Sequence, residues 1–368
     1  MAGQGLRTGL TLLLVALLAG CSIGDVRRRP PDRTTASPRP PQTGPPQSGP
    51  PSHQEGVEVR HVRLTAGRRY DPPMIEFVTA ERGFAQFSGC AAASTTERSC
   101  PALLYSTVDG GRTWRPLRHP HPDAANPQLY AVPGTLALFV DPRDWYTSTD
   151  GGVTFAHSLG DRAPAAWRAA QGRFQLDEAT GRAVRWQGRR MTPLPVQPPV
   201  PDLHGLVEAR GLLVAAGLDG GKPYAAISPD GGRSWQRTAL PAPALGALQP
   251  MVGPDGEVRL VGWPPDRTGF PTLWRYLDRW IPLPAEGHPA RALSVVPLTT
   301  GRFAVSGPAG VGVVADGRYD RLDWPLGPEH YLSLLDDGTV VGRAPAEVLL
   351  ASGPVGGRHW VRVVLEAT

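Results

Sequence analysis

The stretch Thr107-Val108-Asp109-Gly110-Gly111-Arg112-Thr113-Trp114 decides the fold, because it returns twice more along the chain. The copies are Ser148-Thr149-Asp150-Gly151-Gly152-Val153-Thr154-Phe155 and Ser228-Pro229-Asp230-Gly231-Gly232-Arg233-Ser234-Trp235. Each follows a short apolar or aromatic run, at 103–105, 145–146 and 224–227, and leads into another short strand. That is the pattern of a β-hairpin closed by a glycine turn. Glycine enters the positive-φ region without steric cost, so the turn can be tight. The aspartates Asp109, Asp150 and Asp230 can accept hydrogen bonds from turn amides and from the hydroxyls of Thr113, Thr154 and Ser234. Gly111, Gly152 and Gly232 complete the turns, and Trp114, Phe155 and Trp235 bury a large apolar surface where one repeat meets another. These duties are structural rather than catalytic.

Weaker copies extend the period. Trp114-Arg115-Pro116-Leu117 is echoed by Met191-Thr192-Pro193-Leu194 and by Trp280-Ile281-Pro282-Leu283. Asp316-Gly317-Arg318-Tyr319 keeps the turn, and Gly356-Gly357-Arg358-His359-Trp360 keeps all but the aspartate. The closing residues then stand at 114, 155, 191, 235, 280, 319 and 360, with steps of 41, 36, 44, 45, 39 and 41 residues. Such steps match a four-stranded blade, so the reading is an all-β, seven-bladed β-propeller, with six blades as the alternative. The first blade is expected to use strands at 74–79, 84–89, 102–108 and 113–117. A further strand at 57–64 is expected to pair with a blade edge near the ring closure, since open edges invite aggregation.

The pattern (Ser/Thr)-x-Asp-x-Gly-x-(Thr/Ser)-(Trp/Phe) resembles the Asp-box, or bacterial neuraminidase repeat. The run Phe77 to Ala85 resembles the opening of blades in propellers of the photosystem II assembly-factor kind. The resemblance implies that each box lies between the third and fourth strands of a blade. It also raises sialidase chemistry, but sialidases carry an arginine triad whose first member sits in an Arg-Ile-Pro-like motif. The nearest segment here, Arg68-Arg69-Tyr70-Asp71-Pro72, does not match it. Fold-level likeness does not carry a site with it.

Residues 1–20 read as a signal peptide: Arg7 precedes a short apolar core that ends in Leu18-Ala19-Gly20-Cys21. That ending matches the bacterial lipoprotein cleavage motif, which implies a diacylglyceryl group on Cys21 and an address on the extracytoplasmic side of the cell membrane. An ordinary signal peptide with a coincidental cysteine is the alternative. Residues 21–56 are dense in Pro, Ser, Thr, Gln and Arg, with too few apolar side chains to fold, and form an extended, disordered tether. The propeller occupies 57–368. Cys90 and Cys100 are the two remaining cysteines and, outside the cytoplasm, are expected to form a disulfide. A net charge of +5 with scattered arginines and a single lysine, Lys222, gives nucleic-acid binding no support.

Antiparallel order puts the Asp-Gly-Gly turns and the first-to-second-strand turns on one face of the disc. The connections between blades lie on the other, around the axial channel. Five of the nine histidines fall in those connections: His119, His121, His204, His288 and His330. With Arg69, Tyr70, Asp71, Glu329 and Tyr331 they make a candidate ligand rim. The bland reading is that connecting loops carry histidine freely, and no pair has compact metal-ligand spacing. No metal and no cofactor are expected. There is no Gly-x-Ser-x-Gly elbow, His-Glu-x-x-His helix or phosphate loop. The expected function is a monomeric, membrane-anchored, non-catalytic binding or scaffold module for a protein, glycan or cell-wall ligand. The alternatives are a sialidase-like glycoside hydrolase or an assembly factor for a membrane complex.

Overall fold

The structure is a computed structural model that describes residues 56–66, 70–89, 101–121, 128–140, 143–345 and 347–368. The signal peptide, the tether up to residue 55, Arg69, Cys90 and Cys100 lie outside the described residues.

The described chain is nearly all β, and seven sheets follow one another in sequence as the blades of a β-propeller. After β1 (Val57–Leu64), blade 1 is β2 (Met74–Phe77), β3 (Gly83–Phe87), β4 (Leu103–Thr107) and β5 (Arg115–Leu117). Blade 2 is β6 (Gln128–Val132), β7 (Thr135–Val140), β8 (Asp144–Ser148) and β9 (Ala156–Leu159). Blade 3 holds α1 (Ala165–Ala170), β10 (Phe174–Asp177), β11 (Arg182–Gln187) and β12 (Arg190–Pro193). Blade 4 is β13 (Asp202–Ala209), β14 (Leu212–Asp219), β15 (Lys222–Ser228) and β16 (Gln236–Ala239). Blade 5 is β17 (Ala247–Val252), β18 (Val258–Trp263), β19 (Thr272–Leu277) and β20 (Arg279–Leu283). Blade 6 is β21 (Ser294–Pro297), β22 (Phe303–Gly307), β23 (Gly310–Ala315) and β24 (Arg318–Arg321). Blade 7 is β25 (Tyr331–Leu334), β26 (Val340–Ala344), β27 (Glu347–Ser352) and β28 (His359–Ala367). Seven blades, not six, carry the ring.

Blade 3 departs from the four-stranded expectation, because its sheet has three strands. The helix α1 precedes them and packs on β7 of blade 2. The reason is local: Ala165-Ala166-Trp167-Arg168-Ala169-Ala170 contains no β-branched residue, and alanine is the strongest helix former. Trp167 fills the inter-blade space, buried with Ala137 and Trp145.

The second glycine of each Asp-Gly-Gly turn holds the seam to the preceding blade. Gly111, Gly152 and Gly232 have φ of 86°, 91° and 89°. A Cβ on Gly152 would come 2.7 Å from Leu117 Cδ1, and one on Gly232 2.8 Å from Leu194 Cδ1. On Gly111 it would come 3.0 Å from Val363 Cγ1. Each of these partners stands three residues after a closing residue, at 114, 191 and 360. The leucine of the Trp-x-Pro-Leu tail therefore packs under the glycine of the next turn. The aromatic closers point the same way: Trp114 packs with Val361 and Val363 of blade 7, and Phe155 with Leu104 and Leu117 of blade 1.

Outer edges are blunted in two ways. Pro116, Pro193 and Pro282 sit in the outermost strands β5, β12 and β20, where no ladder bond is needed. The outermost strand of blade 7, β28, runs nine residues without proline and would leave an apolar edge. β1 covers it, pairing in parallel from Val57↔Trp360 to Leu64↔Ala367. Arg60 of β1 also donates to the Gly110 carbonyl of blade 1 at 2.6 Å, so this strand joins the first blade to the last.

Candidate functional site

The two faces of the disc are built by different bonds. On the turn face, three hairpins repeat one set. Thr107 Oγ1, Ser148 Oγ and Ser228 Oγ donate to the aspartate two residues on, at 2.8, 2.7 and 2.7 Å. The same hydroxyl oxygens accept the amides of Gly111, Gly152 and Gly232 at 2.9, 2.8 and 2.7 Å. Each aspartate then accepts the amide and the hydroxyl of Thr113, Thr154 or Ser234. Burial pushes the Asp109 carboxyl up, but these donors outweigh it and hold its pKa at about 2. Asp150 and Asp230 are lowered further, first by the hydroxyls of Thr154 and Ser234. Carboxylates so saturated with donors have little left for a ligand. The Gly110 amide donates to the Glu81 carbonyl at 2.7 Å, which sets the first-to-second-strand turn on this same face.

On the connection face, three histidines share one wiring. His119 Nδ1 accepts the His121 amide at 3.1 Å, His204 Nδ1 the Leu248 amide at 2.9 Å, and His330 Nδ1 the Gly327 amide at 2.9 Å. An Nδ1 that accepts carries no proton, so each neutral ring holds its hydrogen on Nε2. Nε2–H of His204 then donates to Asp202 at 3.1 Å, and that of His330 to Glu347 at 3.0 Å. His119 Nε2 lies 3.0 Å from the Gln86 side-chain amide. A protonated Nε2 needs an acceptor, which assigns the Gln86 oxygen to that contact and supplies a partner for an Oε1 that otherwise has none. Burial lowers the His119 pKa to about 4, so the ring is neutral.

These rings act as clasps. His204, on the inner strand β13, holds an amide of β17 in the next blade. Ser294 of β21 does the same for Leu332 of β25 at 2.7 Å, and its hydroxyl bonds Ser306 at 2.6 Å. The side chains of Glu329, His330 and Glu347 come within 4.8 Å of one another, the one such acidic and histidine group among the described residues. Both ring nitrogens of His330 are already engaged, on opposite sides of the ring.

The other rim residues are placed individually. Tyr70 is buried, its hydroxyl donating to the Pro101 carbonyl at 2.9 Å and its ring edge-on to Phe87. Asp71 is exposed, and its amide donates to the Gly89 carbonyl. The His121 ring lies 6.1 Å from that of Tyr146. His288 is exposed, stacks on Phe270 at 4.3 Å, and donates through Nδ1–H to the Pro289 carbonyl. Tyr331 is half-buried, and burial raises its pKa against the opposing charge of Arg267. The residues that sequence reasoning missed are Gln86, Ser294 and Glu347. They are single polar residues in strands, and no spacing marks them.

Two cavities lie beside these features. One of about 370 Å³ is lined by Pro101, Leu104, Tyr105, Pro116, Arg118 and His119. The other, of about 380 Å³, lies at the ring closure on the turn face, between Arg60, Glu81, Asp109, Arg112, Ser352 and His359.

No known family model matches the chain, and no curated protein matches it in sequence. Among solved structures it is similar to YCF48 bound to a D1 peptide, with 16% identity over 77% of this chain and 90% of that one, at a TM-score of 0.40. It is similar to a Dyadobacter fermentans protein of unknown function at 14% identity, over 83% of this chain and 95% of that one, with a TM-score of 0.30. A glycoside hydrolase family 74 xyloglucanase from Xanthomonas campestris matches at 14% identity, over 82% of this chain and 46% of that one, with a TM-score of 0.28.

Proposed function

We propose that this chain is an exported, lipid-anchored Asp-box propeller that works on the extracytoplasmic side of a membrane as a non-catalytic binding or scaffold module. Its ligand class is a protein, a glycan or a cell-wall polymer. The observation that carries the reading is the wiring of the connection face. His119, His204 and His330 hold backbone amides with one ring nitrogen and a fixed side chain with the other. Rings used in this way hold loops in place rather than move protons for a substrate. The result is a stiff rim suited to display.

Two features support the tethered part of the reading. Cys21 ends an apolar leader, and the proline-rich segment after it runs into β1, which is paired along its eight residues with β28. A tether joined there attaches to the ring closure rather than to a loose end. The proposed Cys90–Cys100 disulfide is supported by the register of the β3–β4 hairpin. Its outermost described pair is Phe87↔Leu103, and the cysteines stand three residues beyond that pair on either side.

Crosslinking in intact membranes followed by capture of the tagged chain tests the binding role. A discrete partner recovered with wild type, and lost when connection-face residues such as His288 and Tyr331 are changed, supports it. Turnover of fluorogenic glycosides by the purified chain would replace it with the hydrolase reading. Cys21→Ala is expected to release the protein from the membrane fraction. Retention of that variant would remove the lipid anchor from the proposal.

A further inference from the structure

The three clasped histidines differ in one respect that matters to a proton. No carboxylate stands within ion-pair distance of Nδ1 of His119 or His204 among the described residues. Beside Nδ1 of His330 stands Glu329, its Oε1 at 3.2 Å. The Glu329 carboxylate folds back over Gly327, where an added Cβ would come within 2.5 Å of Oε2. The Gly327 amide already occupies Nδ1 at 2.9 Å, and the His330 amide closes the same turn on the Gly327 carbonyl at 3.2 Å. The ring therefore has an amide donor in place and a carboxylate acceptor waiting next to it.

We propose that His330 is a proton-operated switch in the connection between blades 6 and 7. When the ring is neutral, Nδ1 accepts from Gly327 and Nε2–H donates to Glu347. When Nδ1 takes a proton from solvent it can no longer accept, so the Gly327 amide loses its partner. The new Nδ1–H donates to Glu329 instead. The imidazolium then bridges two carboxylates, which offset the cost of a buried charge. The surroundings leave the exchange to these groups. The charge of Arg362 stands beside the other oxygen of Glu347, with Nε at 3.1 Å, and favours the carboxylate in both states. On β26, a Cβ added to Gly342 would come 3.6 Å from His330 Cδ2, and Arg343 turns to Glu76 at 2.7 Å. Tyr331, next in sequence, faces the charge of Arg267. The element free to move is the Gly327–Glu329 turn, at the rim and just ahead of Tyr331.

The test uses the full chain in detergent micelles, with ¹⁵N-labelled histidine for ring spectra and hydrogen exchange read on the Gly327 amide. Above its midpoint, His330 is expected to show the Nε2–H tautomer. As pH falls through that midpoint, exchange at Gly327, corrected for intrinsic pH dependence, is expected to rise about tenfold or more, as for an amide whose bond has opened. Glu329→Gln removes the waiting charge and is expected to lower the midpoint by about 0.5–1 pH unit. An Nδ1–H tautomer at high pH, or Gly327 exchange that ignores the ring's titration, would overturn the switch. So would an unchanged midpoint in a folded Glu329→Gln variant. The two wild-type readings decide the matter even if that variant does not fold.

Discussion

The turn face and the connection face of this disc use opposite strategies to satisfy their polar groups. On the turn face, one short constellation is copied in blades 1, 2 and 4, and each bond within that constellation spans four residues or fewer. On the connection face the clasps are single solutions: His119 to Gln86 spans 33 residues, Leu248 to His204 44, and His330 to Glu347 17. A local bond set can be repeated wherever its sequence is repeated. A long-range clasp depends on what a distant strand of the same blade, or for His204 the next blade, offers, so each differs in partner and burial. The connection face is therefore the one that can differ around the ring.

That contrast predicts unequal costs. His119→Ala is expected to be the most damaging of these changes, by about 2–4 kcal/mol in denaturant melts, because it opens a cavity and strands the buried Gln86 side chain and the part-buried His121 amide. His119→Gln, which keeps polar atoms near Gln86, should recover part of that loss. A clasp whose removal costs no more than a surface change would break the comparison.

Acid sharpens it further. Burial lowers the His119 pKa from 6.5 to about 4. Between those values the unfolded chain binds a proton that the folded chain refuses, so stability falls as pH falls from 6.5 to about 4. The loss is up to about 3 kcal/mol, and His119→Gln should flatten that slope. Asp109 has the same sign but a lower window. Its pKa is depressed from 3.8 to about 2, so its contribution is fully present above the ordinary carboxylate range and is lost as pH falls from that range through about 2. The turns should thus stay silent in the window where the clasp weakens.

Smaller effects are expected on the turn face. Asp109→Ala should cost about 1 kcal/mol, since the bonds it loses are near solvent and screened. Val153→Lys, at a position 73% exposed in the second turn, should shift stability by less than about 0.5 kcal/mol. A large loss from Val153→Lys would mean that the second turn packs against something beyond the described residues.

The turn face was legible in the sequence because its chemistry is local. Asp, Gly-Gly and Thr or Ser at fixed offsets state the bonds, and the closing aromatics state where one repeat meets another; that Leu117 and Leu194 pack under the next turn's glycine came from the structure. Blade 3 left only a faint trace, the shortest step of 36 residues between closing positions, and that step could not say that a helix had replaced a strand. The rim histidines were found by position, but their partners were not. Gln86 and Glu347 are ordinary strand residues until their own blades bring a connection histidine beside them, and Ser294 is one until the next blade packs against it.

By itself, then, the sequence determined a seven-fold repeat and the turn that closes several of its hairpins, since both follow from backbone preferences over a few residues. Tertiary structure alone decided that β1 runs parallel to β28, that α1 lines blade 3, and which amide each histidine holds. The pairing of β1 with β28, the packing of α1 on β7 and the His204 contact with Leu248 rest on segments tens to hundreds of residues apart, where side-chain volume and unpaired donors, not local propensity, select the partner.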